Sequence, residues 1–417
     1  MRKKKKASLI VATLLFLFLL IPTGNSVETS GSTSFHFGAA GDHSQDINTN
    51  SSLHRLASSD VNFYLALGDM SYTSIGDETK WCGIVKSYVG QTFPFELVSG
   101  SHDDGLESLA TNGGLIDYFA NCLPDRTGST GVYGKEFYFD YPSSSPLARI
   151  IMISPELNFT NGGYYSYDVG SSHYEWLSRT IDRARASGIP WVIVGMAKAC
   201  ISAGIYPTCP GGENLMNFLI QKKVDLVLQA HDHNYQRSKQ LTCAFVERFS
   251  SACVANDGSS GTYTKGHGTI FVIAGTFGQE FYPINYSSPN APYFASLASV
   301  NTPGMGHGFV EYTITSEEIS AQTDFWGRFS DSFSIIKPAG VLEGFLYLVE
   351  HNLILVSLFN APILTGITAI FLKQLRRLTT NSREKRVMRI GCLDQGISDR
   401  SSVSSLASAS AGLSLDD

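Results

Sequence analysis

Lysine and arginine are thin where a nucleic-acid partner would need them. The 417-residue chain carries 31 of them against 37 Asp and Glu, for a net charge of −6, and no basic patch marks its central region. That argues against nucleic-acid binding. No internal repeat divides the chain. Cysteine is also scarce, at seven residues, yet six of them (Cys82, Cys122, Cys200, Cys209, Cys243 and Cys253) fall in the central region. An even central count fits an oxidising compartment and disulfide bonding. Cys200 and Cys209 bracket a Gly/Pro loop, and Cys243 and Cys253 are similarly close. Cys82 is then left with Cys122, although spacing alone does not fix connectivity. Cys392 is the expected unpaired thiol.

Long uncharged runs stand near the two ends. Arg2 and Lys3 to Lys6 precede the apolar stretch Ala7 to Ile21, followed by Gly24-Asn25-Ser26. This is the layout of a secretory signal peptide, residues 1–26. Leu353 to Leu372 is 20 residues without a charge, long enough to cross a bilayer despite Asn360 and Pro362. A buried helical hairpin broken at Pro362 is the other reading. Lys373, Arg376, Arg377, Arg383, Lys385, Arg386 and Arg389 follow at once, as on the cytoplasmic side of a span. The expectation is an exported, single-pass membrane protein. Its outward-facing domain occupies 34–336, its transmembrane helix 353–372, and a largely disordered cytoplasmic tail 373–417. Sequons at Asn50, Asn158 and Asn285 fit a glycosylated surface.

Between Ser34 and Ile336 the pattern is α/β. Strand-like runs recur at Phe35–Ala40, Phe63–Leu67, Phe95–Ser99, Arg149–Ser154, Trp191–Gly195, Val224–Gln229, Thr269–Ala274 and Phe309–Ile314. The clearest helix is His173–Ser187, with Tyr174, Leu177, Ile181 and Ala184 on one face and Gly188 as its stop. Continuous apolar strands alternating with helices imply sheets covered by helices. From about Cys243 onward the chain reads as strand-rich with little helix.

The ends of these strands carry the chemistry. They read Gly41-Asp42-His43-Ser44, Gly68-Asp69-Met70-Ser71-Tyr72, Gly100-Ser101-His102-Asp103, Val194-Gly195-Met196-Ala197 and Ala230-His231-Asp232-His233. Side chains two apart in an extended segment point the same way, so His231 and His233 can converge. Oxygen and imidazole donors together suit iron, zinc or manganese rather than calcium.

In these five blocks, and in their order, the sequence resembles the calcineurin-like metallophosphoesterases, and within them the purple acid phosphatases. The resemblance covers roughly Phe35–Ile314. It implies a four-layer α/β-β/α sandwich of two mixed sheets with a binuclear metal site in the cleft, iron plus a divalent ion (zinc, manganese or iron). On that resemblance Asp42, Asp69, Tyr72 and His233 match the ligands of the ferric site. Asp69 also matches the carboxylate that bridges to the second ion, and His231 a ligand of that ion. His102 matches the histidine that assists the leaving group.

The departures from the family pattern fall mostly on one side. Ser101 replaces an asparagine, Ala197 a histidine, Ala230 the glycine before His231, and Ser44 a glycine of the first block. Ser101 keeps an oxygen that can reach the metal or substrate weakly, whereas the Ala197 methyl group has no donor atom. Lys198 adjoins it but is cationic and is expected to point away. The first metal site is thus complete by sequence, and the second has lost one ligand and had another weakened. The expected activity is hydrolysis of phosphate monoesters, on small-molecule or protein substrates, by Asp69 and His102 with the metals. The alternatives are a pseudophosphatase binding ectodomain and a phosphodiesterase.

Overall fold

Runs buried at every residue, apolar but for Glu96, Arg149 and Gln229, form the middle of the protein: Phe63–Leu67, Phe95–Val98, Ala148–Met152, Trp191–Gly195, Leu226–Gln229 and Ile270–Ala274. Strands without a polar face must be covered on both sides. The computed structural model describes residues 34–105, 114–206 and 211–338. In it the strands form two mixed sheets. One has seven strands, in the order Thr262–Thr264, Ser332–Ile336, Glu318–Phe325, Gly308–Ile314, Phe35–Ala40 (β1), Phe63–Leu67 (β2) and Phe95–Val98 (β3). β1, β2 and β3 run parallel, and Gly308–Ile314 lies antiparallel to β1.

The other sheet has eight strands: Phe294–Ala298, Tyr235–Ser238, Ile270–Ala274, Leu226–Gln229, Trp191–Gly195, Ala148–Met152, Glu136–Tyr141 and Thr130–Val132. Its four middle strands are parallel and its outer pairs antiparallel. The two sheets meet through an aromatic seam. The Phe63 ring lies 5.5 Å from Phe139 and 4.9 Å from Tyr141, and Phe35 lies 4.9 Å from Tyr141.

Helices flank each sheet. Ile47–Ser58 packs on Gly308–Ile314 and on Glu78–Val89, which in turn packs on Ile116–Cys122. Arg149, in the eight-stranded sheet, donates to the Thr180 carbonyl of the helix Ser172–Ala186 at 3.1 Å. The Tyr174 ring of that helix meets Phe218 of Glu213–Gln221 at 4.4 Å. The helix expected at His173–Ser187 begins where the Ser171 hydroxyl accepts the Tyr174 N–H at 3.1 Å. It ends before Gly188, whose φ of 73° is open to glycine at no steric cost.

Four strands are shorter than the sequence predicts: Phe95–Val98 and Ala148–Met152 end one and two residues early, and Ile270–Ala274 and Leu226–Gln229 start one and two residues late. Val224–Gln229 begins its pairing at Leu226 because the Asp225 carboxylate accepts the Val192 N–H at 2.9 Å and pairs with Arg185 and Lys265. Of the expected disulfides, Cys82–Cys122 and Cys243–Cys253 are present. Cys200 is a buried free thiol 3.4 Å from the Gly212 carbonyl, and its expected partner Cys209 lies outside the described residues. Of the sequons, Asn158 and Asn285 are exposed, and Asn50 is half-buried in a helix. The expected signal peptide at 1–26, the span at 353–372, the tail at 373–417 and Cys392 also lie outside the described residues. Among the described residues no helix is long and apolar enough to cross a membrane.

Candidate metal centre

Parallel pairing sets the first two blocks side by side. Beyond the last residue of β1 the chain keeps bonding to the chain beyond β2: Asp42 N–H to the Gly68 carbonyl at 3.2 Å, His43 to Asp69 at 2.9 Å, and Ser44 to Met70 at 2.9 Å. The two carboxylates therefore leave adjacent strand ends together. Their backbones are turned into the left-handed region, with φ of 59° at Asp42 and 54° at Asp69. Ser44, Tyr72 and His231 share it, at 76°, 52° and 71°. Among the described residues only Glu156 and Lys223 are other non-glycine residues with positive φ. Such a conformation costs on the order of 1 kcal/mol or more per residue and concentrates at functional sites. Two glycines make room for the carboxylates. A Cβ on Gly100 would stand 2.2 Å from Asp69 Oδ1, and one on Gly275 would stand 2.5 Å from Asp42 Oδ2.

Three donor atoms from three strand ends converge. The Tyr72 hydroxyl donates to Asp42 Oδ1 at 2.7 Å and lies 3.1 Å from His233 Nε2. His233 Nε2 is 3.4 Å from Asp42 Oδ1. On its far side His233 Nδ1 donates to the Glu280 carbonyl at 3.0 Å, so Nε2 is the ring atom turned to the cluster. The Tyr282 ring stacks on His233 at 4.0 Å and 13°.

The cluster gathers groups whose ionised forms a cation would balance. Burial opposes ionisation of Asp42, but His233, Tyr72 and His231 outweigh it and hold its carboxyl down at about 2. Asp69 is pushed well above the usual carboxylate range, by burial first and then by Asp42 and Asp103. Burial, Asp42 and Asp69 likewise push the Tyr72 phenol up. Two carboxyls and a phenol in one dry place cannot all ionise unless positive charge joins them. Two oxygen donors and an imidazole, Asp42, Tyr72 and His233, fit a transition-metal ion.

The other half of the site is less complete. Asp69 Oδ1 accepts the His102 N–H at 2.7 Å, and the His102 ring lies 4.3 Å from Tyr72. Ser101 is half-buried at the start of the short turn Ser101–Asp103. Ala197 is buried, its methyl group aimed at Gly68, where an added Cβ would lie 2.6 Å away. Its chain neighbour Lys198 donates to the Glu156 carbonyl at 2.7 Å. His231 is anchored through its backbone, its N–H on Asp42 Oδ2 at 2.8 Å, while its ring stacks on Tyr206 at 4.6 Å. Among the described residues no three His, Cys, Asp or Glu side chains enclose one point, so the convergent set depends on the Tyr72 phenol for its third donor.

Two residues that sequence reasoning left without a role hold this arrangement. The buried Asp103 carboxylate accepts backbone N–H groups of Asp69, Met70 and Gly100, at 2.7, 3.0 and 3.0 Å, and so ties the second block to the third. Its signal was a carboxylate three residues after a strand-end glycine, a capping position. Asp232, between the two histidines, points the other way. It accepts the Ser202 hydroxyl and the Ile205 N–H, and burial pushes its carboxyl up to about 6. The segment 231–234 is a bend with φ of 71° at His231, so the extended geometry expected for this block is not what turns Asp232 away.

Residues 35–235 match the calcineurin-like phosphoesterase family. The chain is 23% identical over 280 residues to purple acid phosphatase 21 of Arabidopsis thaliana, covering 65% of this chain and 56% of that protein. It is 24% identical over 252 residues to the probable inactive purple acid phosphatase 24 of the same plant, covering 55% and 36%. The chain spans about half the length of the curated relatives it matches. A purple acid phosphatase from yellow lupin (Lupinus luteus) seeds shares the fold, with a TM-score of 0.53 at 18% identity over 73% of this chain and 54% of that one.

Proposed function

Because this chain carries a calcineurin-like phosphoesterase domain and is similar to purple acid phosphatases, we propose that it hydrolyses phosphate monoesters with one firmly held ion, iron, and a weakly held divalent one. The observation that carries this reading is the convergence of Asp42 Oδ1, Tyr72 Oη and His233 Nε2 within 2.7 to 3.4 Å of one another. These three would hold the first ion, and Asp69 would face both. When bound, such ions supply positive charge that activates water and stabilises phosphoryl oxygens.

The chain's own residues do the rest. His233 is held in one orientation by Glu280. Asp69 is fixed by the His102 N–H and, through its own N–H, by Asp103. His102, whose ring lies 4.3 Å from Tyr72, would give its ring proton to the departing alkoxide. Ser101, next to it, offers a hydroxyl to the substrate. Export through a signal peptide and anchoring by 353–372 belong to the same proposal, supported by two disulfides of the kind that persist in oxidising compartments.

Ala197 favours a second reading, in which the fold and one metal persist as a binding domain without turnover. A third substrate class, phosphate diesters, is separated by assay. Metal content per chain is measured beside hydrolysis of a chromogenic phosphate monoester and diester. Iron near one equivalent, a visible absorption band lost in Tyr72→Phe, and monoester turnover are expected. Iron without the band removes Tyr72 from the ligand set. Bound iron with no turnover of either ester leaves the binding domain.

A further inference from the structure

Away from the metal centre, the seven-stranded sheet is open on its outer face. Along Glu318–Phe325, Ser332–Ile336 and Thr262–Thr264 every second residue is half-buried or exposed. Strand register sets these open residues in two rows. In one, His36, Thr313, Ser320, Ser334 and Thr262 stand opposite one another across five strands. In the other stand Glu311, Gln322 and Ser332. Apart from His36, these side chains line a depression of about 560 Å³. Thr313 Oγ1 lies 3.0 Å from His36 Nδ1, and Gln322 donates to Ser330 at 2.7 Å. The hydroxyls of Ser320, Ser332, Ser334 and Thr262 have no hydrogen-bond partner among the described residues. Four short hydroxyls on three neighbouring strands are therefore left to whatever enters the depression.

Glu311 also borders a second depression of about 500 Å³, whose wall includes Asp60, Asp324 and Trp326. Trp326 is 48% exposed, yet its ring is held in place. Its Nε1 donates to the Ser51 carbonyl at 2.8 Å, and the Arg55 guanidinium lies 5.3 Å from the ring centre. Arg55 is tied in turn to Asp324, Nε to Oδ1 at 2.8 Å. No lysine stands among the described residues that line either depression, and Trp326 is the one exposed large apolar side chain there.

These surroundings narrow the occupant. Glu311, Asp60 and Asp324, against one arginine already paired, repel a phosphate, a sulfate or a nucleic acid. A lipid tail or the apolar face of a helix would find a single indole to rest on. A neutral sugar fits on both counts. Its hydroxyls donate and accept, as do the hydroxyls and the amide here, and they can donate to the carboxylates. Its C–H face can lie on an aromatic ring that is fixed beforehand. From Gly308–Ile314 to Thr262–Thr264 is three strand spacings, about 14 Å, which is longer than one sugar ring. We propose that the two depressions form one groove that binds a neutral oligosaccharide, with Trp326 as its platform at one end and the hydroxyl rows as its floor.

Calorimetric titration of the full chain with cellotetraose, laminaritetraose and mannotetraose, beside a sulfated heparin tetrasaccharide, tests this. At least one neutral sugar should bind, and more tightly than the sulfated one. Ser320→Arg fills the floor and should weaken that binding by about 10-fold or more. Trp326→Ala should weaken it by about 5-fold through the lost ring contact. Metal content should be unchanged in Ser320→Arg, which lies on the sheet face and not at the strand ends that carry Asp42 and His233. Binding of none of the three neutral sugars overturns the proposal, and so does tighter binding of the sulfated one. Undiminished binding by either variant, with circular dichroism as in the wild type, places the sugar elsewhere and overturns it as well.

Discussion

The two halves of the site are built from the same strand ends to different standards. On one side Asp42, Tyr72 and His233 touch one another, and each has a neighbour fixing its orientation: the His231 N–H on Asp42, the Glu280 carbonyl on His233, and the His102 ring against Tyr72. On the other side Asp69 and His231 keep their backbone anchors, but Ala197 brings a methyl group and Ser101 a short hydroxyl. If both halves hold ions, they differ in their side chains and share a scaffold. The hydrogen bonds that shape the poorer half run through the backbone, and a side-chain substitution leaves them in place.

The sharpest way to break this comparison is to remove one histidine from each half. His233→Ala should lower iron content and turnover by at least 100-fold, since losing even a residue behind a metal ligand costs about 10–100-fold. His231→Ala should cost the first ion less than 10-fold. Metal analysis of the two purified variants, with activity measured at equal total metal, checks this. Equal losses in both would mean that the two histidines serve one ion and that the halves are not distinct.

Ala197→His sharpens it from the opposite side. The backbone at 197 is already in place, its carbonyl accepting the Ala230 N–H at 2.9 Å. The added imidazole should tighten the second divalent ion by about 10-fold. Titrating activity against zinc or manganese reads the shift, and an unchanged midpoint in a folded variant would remove this position from the second site.

The smallest effect belongs to a control in the middle of β3. Burial pushes the Glu96 carboxyl up to about 8 from an ordinary value near 4.5, although the Arg126 N–H at 3.0 Å pulls the other way. The folded protein keeps this proton to about pH 8, whereas the unfolded chain releases it near pH 4.5. Wild-type stability should therefore fall as pH rises between those values and level off above. Glu96→Gln should flatten that slope and gain about 1 kcal/mol or more at pH 8. Denaturant unfolding at pH 5 and pH 8 measures it, and the metal-binding contrast between the halves should not change.

Much of this was legible in the residues themselves. Strands such as Phe63–Leu67 and Trp191–Gly195 announce themselves because burial on both faces leaves no room for a polar position. The block endings place Asp42, Asp69 and His233 together because parallel strands end on the same side. Tertiary closure hid the rest. Asp103 reads as one more loop carboxylate until the fold brings the Asp69 and Met70 N–H groups to it across 34 and 33 residues. Tyr206 and Tyr282 carry no periodic signal, and only the folded loops bring them over the histidines. The strand Glu318–Phe325 alternates buried and half-open positions beside two partners, a weaker pattern than the buried runs.

The left-handed backbone at Asp42, Asp69, Tyr72 and His231 bears on how such a sequence drifts over generations. A chain selected only to stay folded gains stability whenever glycine replaces a residue in that conformation, provided no side-chain contact is lost. That proviso fails at Asp42, Asp69 and Tyr72, whose side chains bond the His231 N–H, the His102 N–H and Asp42. Ala197 and Ser101, where the proposed second ion would be held less well, have no positive φ. On the proposed reading the four side chains stay because the centre they build is used, and the His233→Ala comparison tests that.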